Sequence, residues 1–265
     1  MHEIIQENAK TQTEGMQANK IFGIKKPSEK FYSALLPKDK KDTDVLKNIT
    51  YPVIGTDESG KGDYFGPLVA AGFYAEESSL KFLKEAGVAD SKLLTDSQVR
   101  AAAKKIRENF PDSYSIIEIS PEKYNRLYEE LRKEKKNLNS LLAWAHAKAI
   151  EELLKKHECI TAVSDRFGDE KYILSKLGEK GRKINLIQET KAERNPAVAA
   201  ASVLARDRFL DKLKVLSKEA EMTLPKGASK TVIYAGAEIV RLKGEEELKK
   251  YAKIHFRTTA EILNK

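Results

Sequence analysis

Two carboxylates, Asp57 and Glu58, stand side by side at the end of an apolar run, directly before Ser59-Gly60-Lys61-Gly62-Asp63. Adjacent buried acids repel unless a cation compensates them or one gives up its charge. A hard divalent ion, Mg²⁺ or Mn²⁺, does this well because it prefers oxygen ligands. Gly60 and Gly62 expose backbone N–H and C=O groups that can approach a ribose or a phosphate without side-chain obstruction, and Lys61 adds a phosphate-seeking charge. The alternative is a plain strand-to-turn junction carrying surface acids, but the whole block 57–62 favours metal-assisted work on a sugar–phosphate chain. Two more acids qualify only by position. Asp165 closes the run Ile160–Ser164, where a cap or turn role is the common one. Glu193 precedes Asn195-Pro196, where its charge would gain only ~0.3–1 kcal/mol from a helix dipole.

The elements that must hold these side chains are legible as alternating texture. Val53–Thr56 and Leu68–Tyr74 read as strands joined by the glycine-rich turn, with further strands at Ser115–Ile119, Ile160–Ser164 and Ile184–Gln188. Neighbouring side chains on a strand point to opposite faces, so both acids serve one site only if the chain bends just after Asp57. Helical spacing covers Asn137–His157, with Leu138, Leu141, Leu142 and Ala145 on one face and Trp144 assigned to the core, while His146 lacks ligand-like spacing. A helix is predicted over Asp169–Leu177. Another opens at Pro196 behind Asn195 as its cap and carries the small-residue run Ala197–Ala201. Strands alternating with helices argue for a layered α/β fold.

Bulk properties bound the partners. The chain has 265 residues, 41% hydrophobic and 33% charged, with a formal net charge of +8. A basic excess draws phosphate backbones, although a lysine-rich solvated surface gives the same balance. One cysteine, Cys159, cannot form an intramolecular disulfide and is expected to be a buried, inert thiol. The N-terminus lacks an apolar signal segment, and no run approaches the ~20 apolar residues of a membrane span, so a cytoplasmic protein without membrane contact is expected. Residues 1–48 are polar and lysine-rich, with Phe22, Lys25, Lys26, Phe31 and Tyr32 interleaved. They read as an appendage, and 49–265 as the main domain.

Several separated segments resemble one family in order. Asp57-Glu58-Ser59-Gly60-Lys61-Gly62-Asp63-Tyr64-Phe65-Gly66-Pro67 resembles the glycine-lysine-glycine motif of ribonuclease HIII; ribonuclease HII normally has arginine where Lys61 stands. Asp90-Ser91-Lys92-Leu93 is similar to the substrate-contacting element of both families, and Ser164-Asp165-Arg166-Phe167 to the strand end bearing a third acid. Lys191-Ala192-Glu193 with Pro196–Ser202 resembles the segment supplying the fourth, here glutamate where aspartate is common in the wider group. Leu224–Ala228 and Lys253-Ile254-His255-Phe256 favour type HIII. The resemblance runs from about Tyr51 to Phe256. It implies a ribonuclease H-like fold, a mixed β-sheet flanked by helices. The N-terminal appendage is short for the TATA-binding-protein-like domain of type HIII enzymes and is either a reduced form of it or a different arm. The resemblance further implies a divalent metal site of Asp57, Glu58, Asp165 and Glu193, and hydrolysis of RNA in RNA/DNA hybrids; a monomer is expected. Gly60, Lys61, Gly62, Ser91 and Lys92 would contact the substrate. The alternatives are nicking at a single embedded ribonucleotide and a catalytically silent hybrid-binding module on the same fold.

Overall fold

A computed structural model describes residues 46, 49–88 and 93–264. The expected substrate contacts Ser91 and Lys92, and the expected appendage 1–48 apart from Leu46, lie outside the described residues. Among the described residues, a mixed sheet joins β1 (Val53–Ser59), β2 (Leu68–Ala75), β3 (Tyr114–Ile119), β4 (Thr161–Asp165) and β5 (Asn185–Glu189) in the order β3-β2-β1-β4-β5. The first three pair antiparallel as a meander, whereas β4 and β5 run parallel to β1. Parallel neighbours need crossovers, and helices supply them.

The helices among the described residues are α1 (Ser79–Glu85), α2 (Asp96–Asn109), α3 (Pro121–Lys133), α4 (Leu138–Leu154), the short α5 (Lys171–Leu174), α6 (Pro196–Glu219), α7 (Lys230–Lys243), α8 (Leu248–Tyr251) and α9 (Arg257–Leu263). Local chemistry fixes two starts that matter. The Asn195 side chain accepts from the Ala197 N–H at 2.9 Å with Pro196 in the first turn, as expected. Thr95 and Gln98 form a reciprocal capping box at α2. The helix expected over Asp169–Leu177 shrinks to the single turn of α5.

The sheet separates two apolar layers. Val53 and Val163 pack with α6 and α2 on one face, while Ile54 and Ala162 pack with α4 on the other. The alanines of α6 let it lie so close to β1 that a Cβ on Gly55 would fall 2.2 Å from the Ala197 and Val198 backbone. Two expectations are corrected. β1 does not bend after Asp57; it stays paired with β2 through Glu58↔Ala70 and Ser59↔Val69. Trp144 is not core but 37% exposed, with the Lys123 ammonium 5.9 Å from its ring centre. The physical reason is that α4 is buried on nearly every other side, so its periodicity leaves only a narrow outer strip.

Candidate active site

Asp57 and Asp165 stand toward the ends of adjacent parallel strands, where open α/β sheets present their ligands. Thr56 and Ser164 are the last registered pair between β1 and β4, and Asp57 and Asp165 follow them on neighbouring strands. In-register residues of parallel strands share a face, so both acids point toward α6. There the Ser202 hydroxyl donates to the Asp57 carboxylate, which also accepts the Glu58 N–H at 2.8 Å. Asp165 Oδ1 accepts the Ala192 N–H at 3.2 Å, which ties the 3-10 turn Ala192–Arg194, and with it Glu193, to the end of β4. Lys191 opens that turn at φ +57°, a left-handed conformation uncommon for a residue with a side chain.

Glu58 turns to the other face. His146 Nε2 lies 3.0 Å from Glu58 Oε2, and Lys61 Nζ lies 3.4 Å from Oε1. Nδ1 of the same ring lies 2.9 Å from Thr56 Oγ1. Sequence reasoning set His146 aside; its signal was a polar side chain inside the apolar stretch 141–147, which must find partners when buried.

The electrostatics divide the adjacent pair. Burial, then the charge of Glu58, pushes the Asp57 carboxyl up to about 7, against the Ser202 hydrogen bond. Burial also raises Glu58, but His146 and Lys61 together hold it below its ordinary value. One carboxyl thus tends to keep a proton that its neighbour gives up, as crowded acids do.

The glycine-rich loop is fastened from behind. Gly60 at φ +87° has no room for a side chain, since a Cβ would meet the Pro67 carbonyl oxygen at 2.1 Å, whereas a Cβ on Gly62 would meet nothing within 4 Å. Asp63 Oδ1 accepts the Gly227 N–H at 2.6 Å, and the Tyr64 N–H donates to the Gly227 oxygen at 2.9 Å. Tyr64 and Phe65 are fully buried. Lys226 Nζ meets Asp96 Oδ2 at 2.7 Å.

The four acids are therefore neighbours in backbone terms but not yet a cage. Among the described residues, no three acid, histidine or cysteine side chains are gathered so as to hold a metal ion. Each of Asp57, Glu58 and Asp165 is engaged by the protein's own donors. The donor set still fits a hard divalent cation: it is all oxygen, and Asp57, raised first by burial and then by the charge of Glu58, would regain its charge beside a cation. Cys159 is half-buried, its thiol raised by burial. No helix among the described residues is long and apolar enough to cross a membrane.

Comparison with known proteins places this arrangement. The family profile of ribonuclease HII matches residues 54–259. Ribonuclease HIII of Protochlamydia amoebophila is 47% identical over 214 residues, 81% of this chain and 69% of that one. Ribonuclease HIII of Chlamydia muridarum is 40% identical over 253 residues, covering 93% and 82%. Among solved structures, Bst-RNase HIII in complex with Mn²⁺ superposes with a TM-score of 0.76 at 29% identity, over 96% of this chain and 81% of that one. Aquifex aeolicus RNase H3 gives 0.61 at 30% identity, over 84% and 81%. With the profile spanning every strand that carries one of the acids, this chain belongs to the ribonuclease HII family and stands within it among the ribonucleases HIII, hydrolases of the ribonuclease H type.

Proposed function

We propose that the chain is an endonuclease that hydrolyses the RNA strand of RNA/DNA hybrids by a two-metal-ion mechanism, leaving 5′-phosphate and 3′-hydroxyl ends. The observation that carries this reading is the placement of Asp57 and Asp165 on adjacent parallel strand ends, with Glu58 and Glu193 beside them. Asp57, Glu58, Asp165 and Glu193 would hold Mg²⁺ or Mn²⁺; the Mn²⁺ bound by Bst-RNase HIII supports that choice of ion. Bound there, the ions would supply Lewis-acid activation of water and neutralise charge on the leaving 3′-oxygen.

The chain's own residues do the rest. Ser202 orients Asp57, and His146 orients Glu58. Backbone groups of Gly60, Lys61 and Gly62 reach the 2′-hydroxyl, the group by which RNA is told from DNA. Lys61, with Ser91 and Lys92 from the segment outside the described residues, holds phosphates in a salt-dependent manner. Residues 1–48 form a separate hybrid-binding appendage to the catalytic domain 49–265, so removing residues before Ile49 should raise KM more than it lowers kcat. The enzyme works in the cytoplasm as a monomer.

The test is cleavage of a labelled RNA/DNA hybrid, with and without divalent metal, beside all-DNA and all-RNA duplexes. Cleavage is expected only for the hybrid with metal, and Asp57→Asn should lose it more than about 100-fold while still binding the hybrid. Near-normal cleavage by that variant refutes the assignment.

A further inference from the structure

His146 has no solvent exposure and sits midway along α4, yet neither of its ring nitrogens is spent on packing. Thr56 and Glu58 are two apart on β1 and so share a face, and the imidazole spans them, with Nδ1 on Thr56 Oγ1 at 2.9 Å and Nε2 on Glu58 Oε2 at 3.0 Å. A carboxylate only accepts, so Nε2 carries the hydrogen in that contact. Phe167 lies 5.1 Å from the imidazole centre on the sheet side opposite α6, and Ser164 Oγ stands 3.5 Å from Nδ1. The ring is therefore held at both nitrogens and packed against one face.

We propose that His146 is a positioning residue that makes Glu58 a one-oxygen ligand. Its Nε2–H occupies Oε2, which leaves Oε1 as the oxygen presented to a cation, and that oxygen already meets the Lys61 ammonium at 3.4 Å. The inference rests on the metal reading of the site given above. It assigns no chemistry to the imidazole, only the direction in which Glu58 points. Hydrogen-bond partners of metal ligands commonly govern affinity by 10–100-fold.

A buried histidine that merely fills space would be replaceable by leucine without consequence for the site. The experiment measures Mn²⁺ binding by calorimetry on the substrate-free full chain for wild type, His146→Leu, His146→Gln, Glu58→Gln and the double variant Glu58→Gln/His146→Leu, with thermal melting of each. Glutamine retains an N–H where Nε2–H stood, and leucine does not. Expected are a loss of about ten-fold or more for His146→Leu, near-wild-type affinity for His146→Gln, and no additional loss from His146→Leu in the Glu58→Gln background. Wild-type affinity in a folded His146→Leu overturns the proposal. So does an equal loss in His146→Leu and His146→Gln that persists in the Glu58→Gln background, since that is a packing effect. Wild type that binds no Mn²⁺ and cleaves no hybrid overturns the metal reading itself; wild type that binds and cleaves while His146→Leu is unaffected overturns only the role of His146.

Discussion

Lys253 Nζ donates to the Gly66 carbonyl oxygen at 2.6 Å from a side chain with no solvent exposure. Gly66 sits at φ +85° in the turn that returns the chain from the glycine loop to β2, and the Lys253 N–H donates to the Tyr64 oxygen at 2.8 Å. The C-terminal strap thus braces the loop by both main chain and side chain. Burial pushes the ammonium down to about 7, with Asp63 opposing; His255, itself held down to about 4 by burial and by Lys253, and the Tyr124 ring face it as well.

From that shift follows a pH dependence with a definite sign. Between about pH 7 and 10.5 the unfolded chain holds a proton on Lys253 that the folded chain has released, so stability rises with pH across the window. Urea midpoints at pH 7 and pH 9.5 for wild type and Lys253→Met cancel the groups the two proteins share. Wild type should gain on the variant at the higher pH. Parallel behaviour would mean that the lysine stays charged in its carbonyl nest.

Gly60 and Gly62 differ in why they are glycine. Gly60→Ala must place a Cβ 2.1 Å from the Pro67 oxygen in a left-handed conformation, and should cost about 2–4 kcal/mol of stability. Gly62→Ala meets nothing, so its stability should change by less than about 0.5 kcal/mol. If a ribose comes against this backbone, Gly62→Ala should nevertheless raise KM for the hybrid several-fold. Melting curves and steady-state kinetics on both variants separate the cases, and an unchanged KM for Gly62→Ala removes the close-approach role.

The candidate site was largely legible before the fold was known, because acids, glycines and Lys61 cluster within a few residues and the remaining acids end recognisable segments. What sequence could not supply was direction. Alternation along β1 sends Asp57 to α6 and Glu58 to α4, so without the expected bend the two carboxylates point to opposite faces of the sheet. The partner on the α4 side, His146, is separated by 88 residues from Glu58 and follows no ligand spacing, which is why a local pattern missed it. Trp144 misled for a related reason: in a helix apolar on most sides, residue type alone does not tell which strip meets water.

The contact between α6 and β1 sets where Ser202 meets Asp57. Gly55→Ala would drive a methyl into the Ala197 and Val198 backbone at 2.2 Å, where no side chain can yield. A loss of about 1–3 kcal/mol or more is expected, with kcat falling as α6 shifts. Chemical denaturation and kinetics on the folded fraction check it. A variant as stable as wild type would show that the helix can retreat freely.

Asp96 gathers two cations from different elements, Arg206 Nη2 of α6 at 2.8 Å and Lys226 Nζ of the 224–228 loop at 2.7 Å. The hydrogen bond from Lys226, then that from Arg206, holds its carboxyl below the ordinary range. The Asp96 side chain is 42% exposed, so Asp96→Asn should cost only about 0.2–1 kcal/mol. Its larger effect is to release positive charge near the Gly227 turn that anchors the glycine loop. If the hybrid's phosphates pass there, the variant should bind more tightly at low salt, with a log–log salt slope steeper by about one. Lys226→Met removes one of the two cations that share Asp96, so it should act in the opposite sense, weakening binding at low salt and flattening the slope by about one. Salt titrations of hybrid binding distinguish these outcomes, and an unchanged slope in Asp96→Asn places the phosphate path elsewhere on the surface.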